Sequence, residues 1–174
     1  MTRIAAVAIA FGIVSLIALA AFHAAPQPPP AAAASRAFHG SWSAMGRRQR
    51  LATESGRPAE IVQLSGAVTL TSDNGATDGF HGEVIGFDDG SGVGAGRAVW
   101  TDTRGDRVFS LVRGEPLQAG RRVTGVITGG TGRYAGATGE YALTWQYVVA
   151  AEEDAVMGRT VDLDGRLQIG ERHP

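Results

Sequence analysis

The stretch Val123–Val149 reads VTGVITGGTGRYAGATGEYALTWQYVV, and the reading of its glycines decides the fold. At its centre Gly130–Ala135, GTGRYA, fits the loose dinucleotide fingerprint G-x-G-x-x-[GA], and Glu152 lies 20 positions beyond Gly132. A nucleotide loop of that kind needs a strand before the glycines and a helix after them, with the helix N-terminus facing the pyrophosphate. Val123 and Ile127 supply the strand. The helix is missing: Ala137-Thr138-Gly139-Glu140 brings another glycine, and Tyr141–Val149 then alternates at period 2 with aromatic and β-branched residues. Only 38 residues follow Gly136, too few for the remaining βαβ units. The nucleotide reading is rejected, and no other motif asks for a cofactor.

What remains is a glycine-dense connection between two strands. Gly129 and Gly130 end the first strand, Gly132 lies in the turn that Arg133-Tyr134 crosses, and Gly136 and Gly139 bend the entry to the second. The same rhythm extends outward along the chain. Glu60–Thr71 carries Val62, Leu64, Val68 and Leu70 on one side, and Asp73-Asn74-Gly75 supplies a turn that tolerates positive φ. Phe80–Phe87, Gly96–Thr101, Arg107–Arg113, Arg122–Thr128, Glu140–Val149 and Val156–Ile169 continue it, with Asp102–Asp106 as a hairpin loop. With Phe38–Thr53, about eight strands at hairpin-like spacing predict an all-β sandwich or barrel. A closed barrel has no exposed edge, which suits a chain without disulfides.

Successive strand residues point to opposite faces, so Tyr141, Leu143, Trp145, Tyr147 and Val149 share one. Trp100, Phe109, Tyr141, Trp145 and Tyr147 form the aromatic grouping expected inside. Two readings stand: the rings fill a small barrel, or they line a cavity for one apolar ligand oriented by Tyr hydroxyl and Trp N–H groups. The cavity reading expects a pocket of at least about 300 Å³.

The segment Thr128–Gly139, TGGTGRYAGATG, resembles the G-G-[ST]-G-x-[FY]-x-G-A-x-G segment of the allene oxide cyclase barrel proteins, and dirigent proteins carry a looser version. Gly105–Phe109 and Tyr141–Val149 sit where that family has neighbouring strands, and the resemblance spans roughly Phe80 to Val149. It implies an eight-stranded antiparallel barrel with an apolar interior. It carries over no catalytic residue, because nothing in Phe38–Thr71 matches the family's pocket groups.

The first 34 residues differ from the rest. Met1-Thr2-Arg3 is a short basic start, Ile4–Phe22 is a charge-free stretch of 19 residues, and Ala24–Ala34 holds only Ala, Pro and Gln. This order predicts a signal peptide ending at Ala32-x-Ala34, and residues 35–174 as one exported barrel domain, secreted or periplasmic. The apolar run is also just long enough to span a bilayer, so anchoring by residues 4–22 through a Pro-rich tether is the alternative. The absence of cysteine excludes disulfides, thiolate metal sites and a cysteine nucleophile. Beyond residue 34, 15 basic residues face 17 acidic ones, a formal charge of −2 that gives no reason to expect a nucleic acid or an anionic membrane as partner.

Candidate chemistry is sparse. His81-Gly82-Glu83 could put an imidazole beside a carboxylate but reads as a solvated pair on the barrel exterior, short of a metal shell. Glu152-Glu153-Asp154 reads as a solvated loop, since adjacent acids mostly point apart. No serine has a nucleophile-elbow context, and no metal site is expected. The leading expectation is a non-catalytic barrel with a small apolar molecule as its partner. A cofactor-free isomerase or cyclase that guides a reactive substrate by shape is the second; it expects a carboxylate inside the barrel, Glu83 or Glu140. A structural or surface-interaction protein is the third.

Overall fold

The computed structural model describes residues 35–150 and 154–170. The expected N-terminal hydrophobic helix and the acids Glu152 and Glu153 lie outside the described residues. Eight strands form a closed antiparallel barrel: β1 (Ser35–Leu51), β2 (Ala59–Ser72), β3 (Thr77–Asp88), β4 (Gly94–Asp102), β5 (Arg107–Leu117), β6 (Gly120–Gly130), β7 (Thr138–Ala150) and β8 (Ala155–Gln168). Each strand pairs with the next in sequence, and β8 returns to β1. The turns are those that the sequence chemistry asks for. Gly75 has φ 81° in the β2–β3 turn, where the Asn74 side chain accepts the Ala76 N–H at 3.1 Å. Gly105 has φ 87° in the β4–β5 turn.

Alternation places Phe38, Trp42 and Ala44 of β1, Leu64 and Val68 of β2, Ala98 and Trp100 of β4, and Tyr141, Leu143 and Trp145 of β7 inside. Glycines make room for the rings. Gly125 of β6 stands opposite Tyr141, and a Cβ there would collide with the Tyr141 ring. Gly158 of β8 leaves the same space for Trp145. A barrel of eight strands has an interior only wide enough for side chains, so a large ring on one strand demands a small residue on its neighbour.

A bulge in β8 tunes the interior. Asp162 has φ 56°, and the β7–β8 register slips between Ala142 and Thr144, so Thr160 and Leu163 both turn inward. The Thr160 hydroxyl accepts the Trp42 backbone N–H at 2.7 Å, where the β1–β8 ladder is itself interrupted between Gly40 and Ser43. This satisfies an otherwise unpaired buried donor and fixes Trp42 in the wall.

The glycine-rich segment joins β6 to β7 through a single 3₁₀ turn, Gly132–Tyr134, and no α-helix follows it among the described residues. Gly132 has φ 52°, and the Asp106 carboxylate occupies the place a Cβ would take. Asp106 accepts the Arg133 N–H at 3.1 Å, while the Thr131 hydroxyl accepts the Arg107 N–H at 2.9 Å. The glycines thus bind this loop to the β4–β5 hairpin.

Candidate functional site

The two ends of the barrel differ because their inward residues differ in size. At one end Phe38 and Phe80 each pack against Trp100 with ring centroids 6.3 Å apart. Tyr134 swings in from the glycine loop to within 5.9 Å of the Phe80 ring and is only 5% exposed, so it plugs this end. Burial pushes its phenol up to about 12. The neighbouring Arg133 covers the Tyr134 ring at 4.9 Å and forms ion pairs with Asp102 at 2.7 Å and Asp78 at 3.3 Å. Burial alone would raise the Asp102 carboxyl. The backbone N–H groups of Arg104 and Asp106, at 2.8 and 3.0 Å, and the Arg133 guanidinium instead hold it below the ordinary carboxylate range. This end is sealed.

The other half is hollow. Gly86 of β3, Gly94 of β4 and Gly114 of β5 place no side chain where the sealed half has aromatic rings. They leave a cavity of about 100 Å³. Trp42, Trp100, Tyr141 and Trp145 form its floor, Val62, Val112, Val123 and Leu143 its sides, and Arg48, Glu60, Asp88, Arg121 and Tyr147 its mouth. This corrects the expectation of a pocket of at least about 300 Å³: the volume is too small for a drug-sized ligand and lies nearer the ~150 Å³ apolar cavity that admits benzene. Rings thus fill one half of the barrel, and a one-ring space remains in the other.

Polar groups in the floor are few. The Tyr141 and Ser110 hydroxyls hydrogen-bond to each other at 2.9 Å, both buried, and burial pushes the Tyr141 phenol up to about 12. The two oxygens share one such bond, so one hydroxyl proton is left to offer. The indole N–H groups of Trp42 and Trp145 are buried and have no acceptor among the described residues. At the mouth Asp88 accepts the Gly90 and Gly92 N–H groups at 3.0 and 3.1 Å and pairs with Arg121. Burial works to raise the Asp88 carboxyl, but Arg121 and the two amides outweigh it and hold the group below its usual value. Arg50 pairs with Glu60 at 2.9 Å.

Such a site can enclose an apolar molecule and offer it a hydroxyl. It is poorly equipped for acid–base chemistry: a phenol pushed up to about 12 stays protonated at neutral pH and gives up its proton reluctantly, and both mouth carboxylates are engaged. Among the described residues no group of three or more His, Asp or Glu side chains could hold a metal ion.

Of the aromatic grouping predicted to share the interior, the structure brings Trp100, Tyr141 and Trp145 together in the floor and sets Tyr147, 40% exposed, at the mouth. Phe109 does not join them. Trp100 pairs with Val108 in the β4–β5 ladder, so Val108 and Ser110 face inward and Phe109 faces out. Phe109 and Leu111 thus share the outer face of β5 with Arg107, Arg113 and Glu115, while Val108, Ser110, Val112 and Gly114 take the inner one. Glu83 and Glu140 are likewise corrected: both are exposed, on the outer faces of β3 and β7, opposite in phase to the inward Gly82 and Tyr141. Their exposure removes the two carboxylates that the isomerase reading names; those that do line the cavity, Glu60 and Asp88, are each paired with an arginine. His81 is also exposed, as a solvated pair with Glu83 requires.

Sequence reasoning missed Trp42, which packs at a tilt against Trp145 with ring centroids 5.1 Å apart, and the mouth groups Arg48, Glu60, Asp88 and Arg121. The alternation of Phe38, Trp42 and Ala44 in β1 was the available signal for Trp42. Nothing local marks the mouth groups, because opposite ends of four different strands bring them together.

No family model matches the chain, and no curated protein matches it in sequence. Among solved structures it is similar to the pterocarpan synthase dirigent protein GePTS1, at 14% identity and TM-score 0.42, over 80% of this chain and 90% of that one. It is also similar to pyocyanin demethylase, at 17% identity and TM-score 0.37, over 74% and 100% of the respective chains. Likeness at this level transfers no chemistry.

Proposed function

We propose that this chain is an exported, non-catalytic barrel of the allene oxide cyclase and dirigent type that takes a small apolar molecule into its hollow half. The observation that supports this reading is the composition of that half: a floor of three tryptophans and Tyr141, sides of Val and Leu, and carboxylates only at the mouth, each already paired. Burying a single ring there removes apolar surface from water at about 25 cal/mol per Å², and the preformed wall limits the ordering cost.

All three tryptophans of the chain lie inside the barrel, so indole fluorescence reports occupancy. The full-length protein titrated with one-ring probes such as toluene and benzamide gives saturable quenching. Gly114→Leu abolishes it while leaving the melting temperature near that of the parent. The Gly114 position has ordinary φ, and an added Cβ meets only van der Waals contacts at 3.6–4.0 Å from Arg121 and Val123, so the larger side chain extends into the cavity. Quenching that is absent in the parent protein, or unchanged by Gly114→Leu, refutes the reading.

A further inference from the structure

Among the described residues the mouth is not electrically neutral. Three guanidiniums, Arg48, Arg50 and Arg121, meet two carboxylates there, Glu60 and Asp88. Arg50 is paired with Glu60, and Arg121 with Asp88. Arg48 has no carboxylate partner among the described residues. Its guanidinium carbon lies 5.8 Å from the centre of the exposed Tyr147 ring, and the side chain lines the cavity. The position is fixed by the backbone: the Arg48 N–H donates to the Asp154 carbonyl at 2.7 Å, and β1–β2 pairing sets Arg48 opposite Val62, another cavity residue. One positive charge therefore stands over an apolar space of one-ring size.

We infer that the ligand of this barrel is a small apolar monoanion, a one-ring or similarly compact carboxylate whose apolar body enters the cavity and whose charge stays at Arg48. This rests on the binding function proposed above. Three features converge on it. The volume of about 100 Å³ excludes a long chain or fused rings without rearrangement. Arg48 presents a planar fork that matches a carboxylate with two parallel N–H···O bonds. The low-dielectric wall of valines and rings strengthens that attraction relative to open water. The Tyr147 ring lies beneath the guanidinium carbon and holds the charge at the mouth.

Glu60 and Asp88 do not oppose such a ligand strongly. Each already has an arginine on its carboxylate, and Asp88 takes two backbone N–H groups as well. A neutral ligand of the same shape gains the apolar contacts without the ion pair. A cationic one meets Arg48 directly.

The test compares benzoate, benzamide and benzylammonium by isothermal titration and indole fluorescence on the full-length protein. The parent binds benzoate at least tenfold tighter than benzamide and benzylammonium more weakly than either, and raising the salt concentration narrows the gap. Arg48→Gln, which removes the guanidinium and its contact with Tyr147, brings the ratio of benzoate to benzamide affinity close to one. Arg48→Lys retains part of the preference. If benzamide binds and Gly114→Leu abolishes it, yet the parent shows no preference for benzoate, the charge inference is overturned and the binding function stands. That outcome also follows if a carboxylate of the protein itself occupies Arg48. If Arg48→Gln weakens all probes equally, the residue shapes the mouth and does not recognise charge, and the inference again falls. If no probe binds the parent, both readings fall together.

Discussion

Gly125→Ala is the sharpest test of how the interior is built. Gly125 lies on the inner face of β6, directly across from Tyr141, and an added methyl would fall on the Cζ and Cε atoms of that ring. The ring has little freedom to retreat. Its hydroxyl is bonded to Ser110 at 2.9 Å, and its centroid lies 4.7 Å from that of Trp100. Forcing a methyl into a filled core costs about 1–3 kcal/mol. Breaking the Tyr141–Ser110 bond adds about 0.5–1.5 kcal/mol, and replacing a strand glycine returns about 0.5–1 kcal/mol through the unfolded chain. The net destabilisation is about 0.5–4 kcal/mol, centred on ~2 kcal/mol, or roughly 4–8 °C in Tm for a domain near this size. The control is Gly79→Ala on β3, an exposed glycine of ordinary φ with no atom within 4 Å of an added Cβ, which stabilises slightly. Urea unfolding followed by indole fluorescence gives both values. Absorbance titration of tyrosine adds a local readout, because a displaced Tyr141 ionises below its present value of about 12. If Gly125→Ala is as benign as Gly79→Ala, Tyr141 has room to move and the glycine does not exist to accommodate its ring.

Tyr141 and Tyr134 are both held near 12 against an unfolded value of 10, so the stability they contribute is complete below pH 10 and is lost as pH rises from 10 through 12. Tyr141→Phe makes that alkaline decline shallower in urea unfolding. Asp88 and Asp102 are held below 3.8, so their contribution is complete above pH 3.8 and disappears as pH falls through the lowered values. Asp88→Asn flattens that acid limb, and an unchanged limb would show that the Arg121 pair is not the source. Arg133→Met, which keeps apolar cover on Tyr134 but frees Asp102 and Asp78, speeds hydrogen exchange in Thr131–Gly136 and leaves probe binding at the far end unchanged. Fractionation of the native host finds the protein outside the cytoplasm, and N-terminal sequencing finds a start near Ser35; an intact Met1 in the membrane fraction selects anchoring.

Much of the fold is written locally. Period-2 alternation, Asp73-Asn74-Gly75, the Asp102–Asp106 turn and the aromatic run after Gly139 each act over a few residues, so they specify strands and turns without reference to the rest of the chain. They also exclude the nucleotide loop that GTGRYA suggests in isolation. The assignment of faces between strands is different, because it depends on which residue stands opposite which. Phe109 and Leu111 are the largest apolar residues in the middle of β5 and still face outward, since pairing with β4 turns Val108 and Ser110 toward Trp100. The site is still less local. Arg48, Glu60 and Asp88 meet through the β1–β2–β3 ladder, and Arg121 of β6 faces them across the mouth only once β8 has closed on β1. Whether the barrel is full or hollow depends on the sum of side-chain volumes at each level along its axis. Each of those volumes belongs to its residue alone and is legible in the sequence. Only the tertiary register stacked Phe38, Phe80 and Tyr134 at one level and glycines at the other, because the level a residue occupies is set by its partners on neighbouring strands.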